Sequence, residues 1–248
     1  MRFAALSLAF GFGLLPATAA AARAEQSKPL RTLTYDIAYT LQTVRDSRVS
    51  GLTGGQPHDQ ESGRAAVQRG FAVNDHGTLQ IDVIAAPADG TLVVDATYTG
   101  RETKQPAMRV AVFPDGVLSY DPKLPLSAPA RRILPLLARG ILAEHDVSPG
   151  SSWTTPFAKP ASGTTTYRVS HRDQTRATIA LVADFTVLGP SGYEEHDDGT
   201  TTYATDVLCP VTYDGRFRVR AQLTPDQLES ADSHVRATLL SDTFAKKT

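Results

Sequence analysis

The chain has 248 residues, of which 41% are hydrophobic and 21% charged, with a formal net charge of −1 and a pI near 6.6. That is the composition of a folded globular protein, and it excludes disordered, collagenous and polytopic membrane classes. Near neutrality removes the basic footprint of nucleic-acid binders, and the single cysteine, Cys209, excludes an intramolecular disulfide or a multi-cysteine zinc site.

Residues 1–24 read as a secretory signal peptide. Met1 and Arg2 give a basic start, Phe3 to Pro16 an apolar run, and Ala22-Arg23-Ala24 a small-x-small cleavage site. The run is shorter than the roughly 20 residues a bilayer span needs. The reading places the protein in the periplasm or outside the cell, with 25–248 as one β-rich domain. Arginine outnumbers lysine and Asn74 is the only asparagine, which fits a bacterial source and leaves no Asn-x-Ser/Thr site.

From Leu33 onward the chain alternates. Leu33, Tyr35, Ile37, Tyr39 and Leu41 take turns with Thr34, Asp36, Ala38, Thr40 and Gln42, the period of a strand with one covered face. The pattern returns around Leu79–Ala85, Leu92–Tyr98, Met108–Val112, Tyr167–Val169, Ala177–Val187, Tyr203–Val207, Phe217–Ala221 and Val235–Leu239, predicting about ten antiparallel strands. Asp89-Gly90, Asp115-Gly116, Asp198-Gly199 and Asp214-Gly215 are expected to be hairpin turns, as are His76-Gly77 and Arg172-Asp173-Gln174. Ser50 to Gly63, rich in Gly and polar residues, is expected to be a long loop, either a plain connection or a binding loop.

The middle of the chain is different. Ser127 can cap a helix over about 128–144 with Ile133, Leu134, Leu137, Ile141 and Leu142 on one face, and Arg131, Arg132 and Arg139 facing solvent beside a kink at Pro135. Thr224-Pro225-Asp226-Gln227 reads as the start of a second, short helix. The expected order is five or six strands, a helix, then about five strands.

One helix about 10 Å across cannot cover ten strands spaced about 4.8 Å apart. The sheet must close into a barrel, fold over as a sandwich, or remain a concave half-barrel with an apolar face. Tyr35, Tyr39, Tyr98, Tyr167 and Tyr203 fall on the apolar parity of their strands. They line either a dry core or, with Leu137 and Ile141 of the helix, a ligand cavity with some polarity.

With its signal peptide, long antiparallel sheet and central apolar helix Ile133 to Leu142, the mature chain resembles the periplasmic lipoprotein-localisation carriers and related lipid-binding envelope proteins. The resemblance implies a curved half-barrel that holds acyl chains under a helical lid. Pro149-Gly150-Ser151-Ser152-Trp153 is similar to Pro-Gly-x-x-Trp turns of bacterial envelope β proteins.

Catalytic motifs are missing: the sequence contains no Gly-x-Ser-x-Gly elbow, His-Glu-x-x-His, phosphate loop or dinucleotide fingerprint. No cofactor is implied. Glu194-Glu195-His196-Asp197-Asp198 could offer oxygen ligands to a hard cation, but five consecutive residues cannot converge, and a solvated hairpin tip is expected there. His58-Asp59 with Glu61, and His145-Asp146, are weaker pairs of the same kind. Asp36, Asp82, Asp95, Asp184 and Asp206, with Arg216, Arg218 and Arg220, suit cross-strand contacts on a wet face better than glycosidic hydrolysis, for which a lone tryptophan makes a poor sugar cleft. Cys209 before Pro210 reads as a small buried hydrophobe. The expected function is non-enzymatic binding of a lipid or other apolar small molecule on the concave sheet. The alternative is an envelope interaction protein that presents loop 50–63 and hairpin 194–199 to a partner, with a hydrolase third.

Overall fold

The computed structural model describes residues 28–47, 66–142, 145–157, 161–187, 192–207, 209–224 and 227–244. The proposed signal peptide and the loop Ser50 to Gly63 lie outside them. The strands are β1 (Arg31–Ser47), β2 (Ala66–Ala85), β3 (Leu92–Gly100), β4 (Lys104–Val112), β5 (Leu118–Ser119), β6 (Ser152–Pro156), β7 (Ala161–Arg172), β8 (Arg176–Val187), β9 (Tyr193–Ala204), β10 (Cys209–Thr224) and β11 (Gln227–Asp242). They form one 11-stranded antiparallel sheet in the order β5-β4-β3-β2-β1-β11-β10-β9-β8-β7-β6. The sheet is an open, curved half-barrel: β5 and β6 are its edges, and β1, first in the chain, pairs in the middle with β11, the last.

This order has a simple origin. Consecutive strands pair as neighbours, so that β1 to β5 stack outward on one wing and β6 to β11 return inward on the other. The chain between β5 and β6 must therefore cross from edge to edge, and it crosses over the concave face. The crossing segment consists of α1 (Ala128–Ile133) followed by 3-10 turns at Leu134–Leu137 and Arg139–Ile141. The expected helix over 128–144 thus survives for six residues. Pro135, lacking an N–H, stands inside the first 3-10 turn, where the tighter pitch replaces the helix it cannot continue.

Three expected turns are corrected. Asp89-Gly90 and Asp115-Gly116 are turns, with φ of 85° and 86° at the glycines, and 173–175 turns between β7 and β8. His76-Gly77, Asp198-Gly199 and Asp214-Gly215 instead lie inside β2, β9 and β10. Gly77 faces Gly100 and Gly199 faces Gly215 across neighbouring strands. A Cβ on Gly215 would strike the Tyr213 ring, and one on Gly100 the Asp75 carboxylate. These glycines make room for close approach within a strand, a use of glycine that the dipeptide pattern does not separate from a turn. The helix expected from Thr224 is likewise overturned: Thr224 pairs with Gln227, and 227–242 is strand β11. Pairing with β1 and β10 overrides the local capping signal.

The concave face has two storeys. In the first, Leu33, Tyr35, Ile37, Leu79, Ile81, Val94, Met108, Val110, Ile179 and Tyr203 pack under Leu126, Ile133, Leu134, Leu136, Leu137, Ile141 and Leu142 of the crossing segment, all in one buried cluster. The second lies further along β1, β2 and β7–β11. There Phe185, Tyr193, Ala161 and Ala221 form a smaller cluster with Phe157, Val187 and Val219.

Candidate functional site

The two storeys meet at Arg132. Ser127 caps α1, its Oγ accepting from the Ala130 N–H at 3.3 Å. The Tyr203 hydroxyl donates to the Leu136 carbonyl at 3.0 Å and the Gly140 N–H to the Pro114 carbonyl at 2.9 Å, which tie the crossing segment to both wings. On this base Arg132 points into the sheet. Its guanidinium lies 3.7 Å above the Phe217 ring centroid and donates to Glu195 Oε1 at 2.5 Å and Asp197 Oδ2 at 3.2 Å. The expectation that Arg132 faces solvent is corrected. So is the expectation of a hairpin tip at 194–199: those residues are mid-strand, where two-residue alternation turns Glu195 and Asp197 together onto the concave face. The residues are 5% and 7% exposed. Five adjacent polar residues resemble a solvated tip locally, because the partner that makes their burial tolerable lies 63 residues away in sequence.

The electrostatics follow from two carboxyls meeting one cation. Burial opposes a charged Arg132, but Glu195 and Asp197 outweigh it and raise the guanidinium above its ordinary value. Burial pushes the Asp197 carboxyl up to about 8; Arg132 pulls it back, while Glu195 close by adds to the rise. Asp197 Oδ1 is buried and has no hydrogen-bond donor among the described residues, although Glu195 stands within hydrogen-bonding reach of Asp197. A proton between the two carboxyls supplies what that oxygen lacks. Burial also pushes the neighbouring Tyr213 and Tyr193 hydroxyls up, which keeps them neutral.

Beyond Arg132 the concave face is less covered. Leu41 and Val73 are half-buried and pack in neither cluster, and Ala231, Ser233 and Val219 beside them are half-buried as well. Phe71, beside a β-bulge opposite Thr43, is 61% exposed next to this strip. The strip is apolar and small-residue lined, with Arg132 and Phe217 at its inner end. Trp153 flanks the other wing, stacked between His145 at 4.6 Å and Tyr167 at 5.3 Å.

The five tyrosines do share the concave face, as parity predicts. Tyr35, Tyr98 and Tyr203 are buried in the main cluster together with Leu137 and Ile141, while Tyr39 and Tyr167 are half-buried against it. The Tyr35 hydroxyl donates to the Pro210 carbonyl at 2.9 Å, and Cys209 is buried beside it. Asp75, also buried, accepts N–H bonds from His76, Arg101 and Glu102, which close the β3–β4 turn. Although burial works the other way, those donors hold its carboxyl below the usual range. The residues that parity singled out therefore build the joint between sheet and crossing segment, and the strip of Leu41, Val73 and Ser233 is the part it missed. Its signal was present: Leu41 ends the first alternating run.

The convex face is polar and cross-paired. Asp95 meets Arg109 at 2.7 Å, Asp198 meets Arg218 at 3.2 Å, and Asp36, Asp184 and Asp214 face His76, His196 and His234 at 3.2, 2.5 and 2.6 Å. Asp206 lies in the turn after β9. A recess of about 580 Å³ over β7–β10 is lined by Asp184, Glu194, His196, Arg218 and Arg220, among others. Its mixture of charges selects no one ligand sign. Among the described residues no three His, Cys, Asp or Glu side chains are placed to hold a metal ion, and no helix is long and apolar enough to cross a membrane.

Neither a protein-family model nor a curated protein sequence matches the chain. Among solved structures it is similar to lipovitellin, described for its lipid–protein interactions, at 9% identity and a TM-score of 0.45; the match covers 89% of this chain and 26% of that one, so this chain spans about a quarter of lipovitellin's length. It is also similar to Ail, the attachment invasion locus protein of Yersinia pestis, at 6% identity and a TM-score of 0.21 over 86% of this chain and all of that one. The Ail complex with the heparin analogue sucrose octasulfate gives 6% identity and 0.20 over 85% and 99%. These scores lie below 0.5, and the functional reading rests on the chain's own residues.

Proposed function

We propose that this is an exported, non-enzymatic protein that binds a hydrophobic or lipid-like ligand along the second storey of its concave sheet. One observation carries the reading: the crossing segment covers the first storey and stops at Arg132, leaving the apolar strip of Leu41, Val73 and Ala231 half-covered and outside both clusters. Half-covered apolar surface in a concavity is what an apolar ligand gains most by filling. Tyr39, at the boundary, and Phe71, at the rim, are placed to meet such a ligand first, whereas Tyr35, Tyr98 and Tyr203 are already buried. The interaction-protein alternative loses one of its two surfaces, because 194–199 is mid-strand.

The test is organic-solvent extraction of purified protein, followed by titration of the delipidated chain with an environment-sensitive apolar fluorophore. The expected result is an extracted lipid-like molecule, or saturable fluorophore uptake that Ser233→Trp lowers at least about tenfold by filling the strip. No extract and no uptake, or uptake untouched by Ser233→Trp, overturns the site.

A further inference from the structure

The geometry points to a proton-operated latch: one proton held between Glu195 and Asp197 keeps Arg132, and with it α1, seated on the sheet, and losing that proton loosens α1 and opens the second storey. The ligand part of this statement rests on the function proposed above; the latch does not.

The argument is a balance of charge in a confined place. Two largely buried carboxyls on alternate residues of β9 face one guanidinium over an aromatic ring, with about a quarter of the Arg132 side chain exposed. With one proton the group is neutral, Arg132 is fully paired and the otherwise donorless Asp197 Oδ1 is satisfied. Without it, a second buried negative charge stands beside the first, and water is the cheapest available compensation.

Every element packed around Asp197 leaves the charge to these groups. From α1 come Arg132 and, adjacent in sequence, Arg131, whose charge reaches Tyr193 and Tyr39. From β10 come Tyr213 and Phe217, with the hydroxyl of Tyr213 held neutral by burial. β9 adds Tyr193 and, on the opposite face, Asp198, whose charge favours the protonated form of Asp197. β8 offers Ala183 and Phe185 in register, neither of which titrates.

Only α1 can yield. β9 is held by ladders to β8 and β10 on both sides, whereas α1 is six residues long, and Arg132 is its link to Glu195 and Asp197. The 3-10 turns that follow are fastened separately, through Tyr203 and Pro114. The expected motion is therefore a local loosening of Ala128–Ile133 with the rest of the crossing segment in place. Water or an apolar ligand then reaches the inner end of the strip, where Arg132 and Phe217 lie.

Hydrogen exchange of the full mature chain at pH 6 and pH 9, expressed as protection relative to the intrinsic rate at each pH, reads the latch directly. In the wild type, α1 amides are expected to lose protection by roughly tenfold to a hundredfold between the two, while those of Ile37 and Leu79 in the central strands hold theirs. Asp197→Asn, a neutral isostere, is expected to abolish the difference. Glu195→Gln gives the same outcome by donating to Asp197, and stands in if the first variant does not fold. Equal wild-type protection at the two pH values, or the same fall in a folded variant, overturns the latch. Fluorophore uptake at both pH values tests the gate: uptake that fails to rise with the loss of protection overturns the gating. No uptake at any pH, with protection still falling, overturns the proposed function and leaves the latch standing.

Discussion

The two storeys of one concave face are built from the same strands and the same alternation, yet they end up in different physical states. In the first, Ile133 and Leu134 are fully buried against Tyr35, Leu79 and Val94, because the edge-to-edge crossing lies over them. In the second, Leu41 and Val73 stand on the same side of β1 and β2 only a few residues on, and remain half-buried. The difference shows that strand parity decides which side chains face inward, while the path of a single connection decides which of them are covered.

Mutations should separate the storeys most strongly at their boundary and in the covered half. Arg132→Ala leaves two buried carboxyls without their cation and is expected to cost about 3 kcal/mol or more at pH 8 by urea unfolding, and less at pH 5, where protons replace the lost charge. A loss that is equal at both pH values would mean the acids are not paired as described. Leu134→Ala opens a cavity under the crossing segment and should cost about 3 kcal/mol, whereas Val73→Ala on the strip should cost under about 1 kcal/mol. Equal costs would show that the strip is as fully packed as the core.

The boundary also predicts a pH dependence of global stability. Asp197 binds its proton more tightly folded than unfolded, so its contribution is full below the ordinary carboxylate value and is lost as pH rises toward about 8. The slope is at most about 1.4 kcal/mol per pH unit for one group. Asp75 and Asp242 are shifted the other way: burial opposes the shift, but the Asp75 backbone donors and, for Asp242, Arg31 outweigh it. Their contribution is present above the ordinary carboxylate value and is lost on acidification through their lowered values. Urea melts from pH 3 to pH 9 are therefore expected to peak just above the usual carboxylate range, and Asp197→Asn to flatten the alkaline side only.

The smallest effect belongs to the convex face. Arg218 and Asp198 are each about half exposed, and Arg218→Ala is expected to change stability by less than about 1 kcal/mol, less still in high salt. A larger loss would indicate that the convex face is covered by a partner in solution.

Alternation alone identified an all-β antiparallel chain and the inward tyrosines, because period-two burial is imprinted residue by residue; the cap at Ser127 marked the start of the central helix, while the same kind of signal at Thr224 marked a helix that strand pairing overrides. The tertiary structure decided the rest. Which strands meet depends on β11 returning to β1, more than 180 residues away. Whether Gly77, Gly199 and Gly215 turn the chain or admit a neighbour depends on what lies across the sheet. Parity turns Glu195 and Asp197 onto the concave face of β9, but their burial is tolerable because Arg132 arrives from the crossing segment to meet them, and no local pattern encodes a partner supplied from the other side of the molecule.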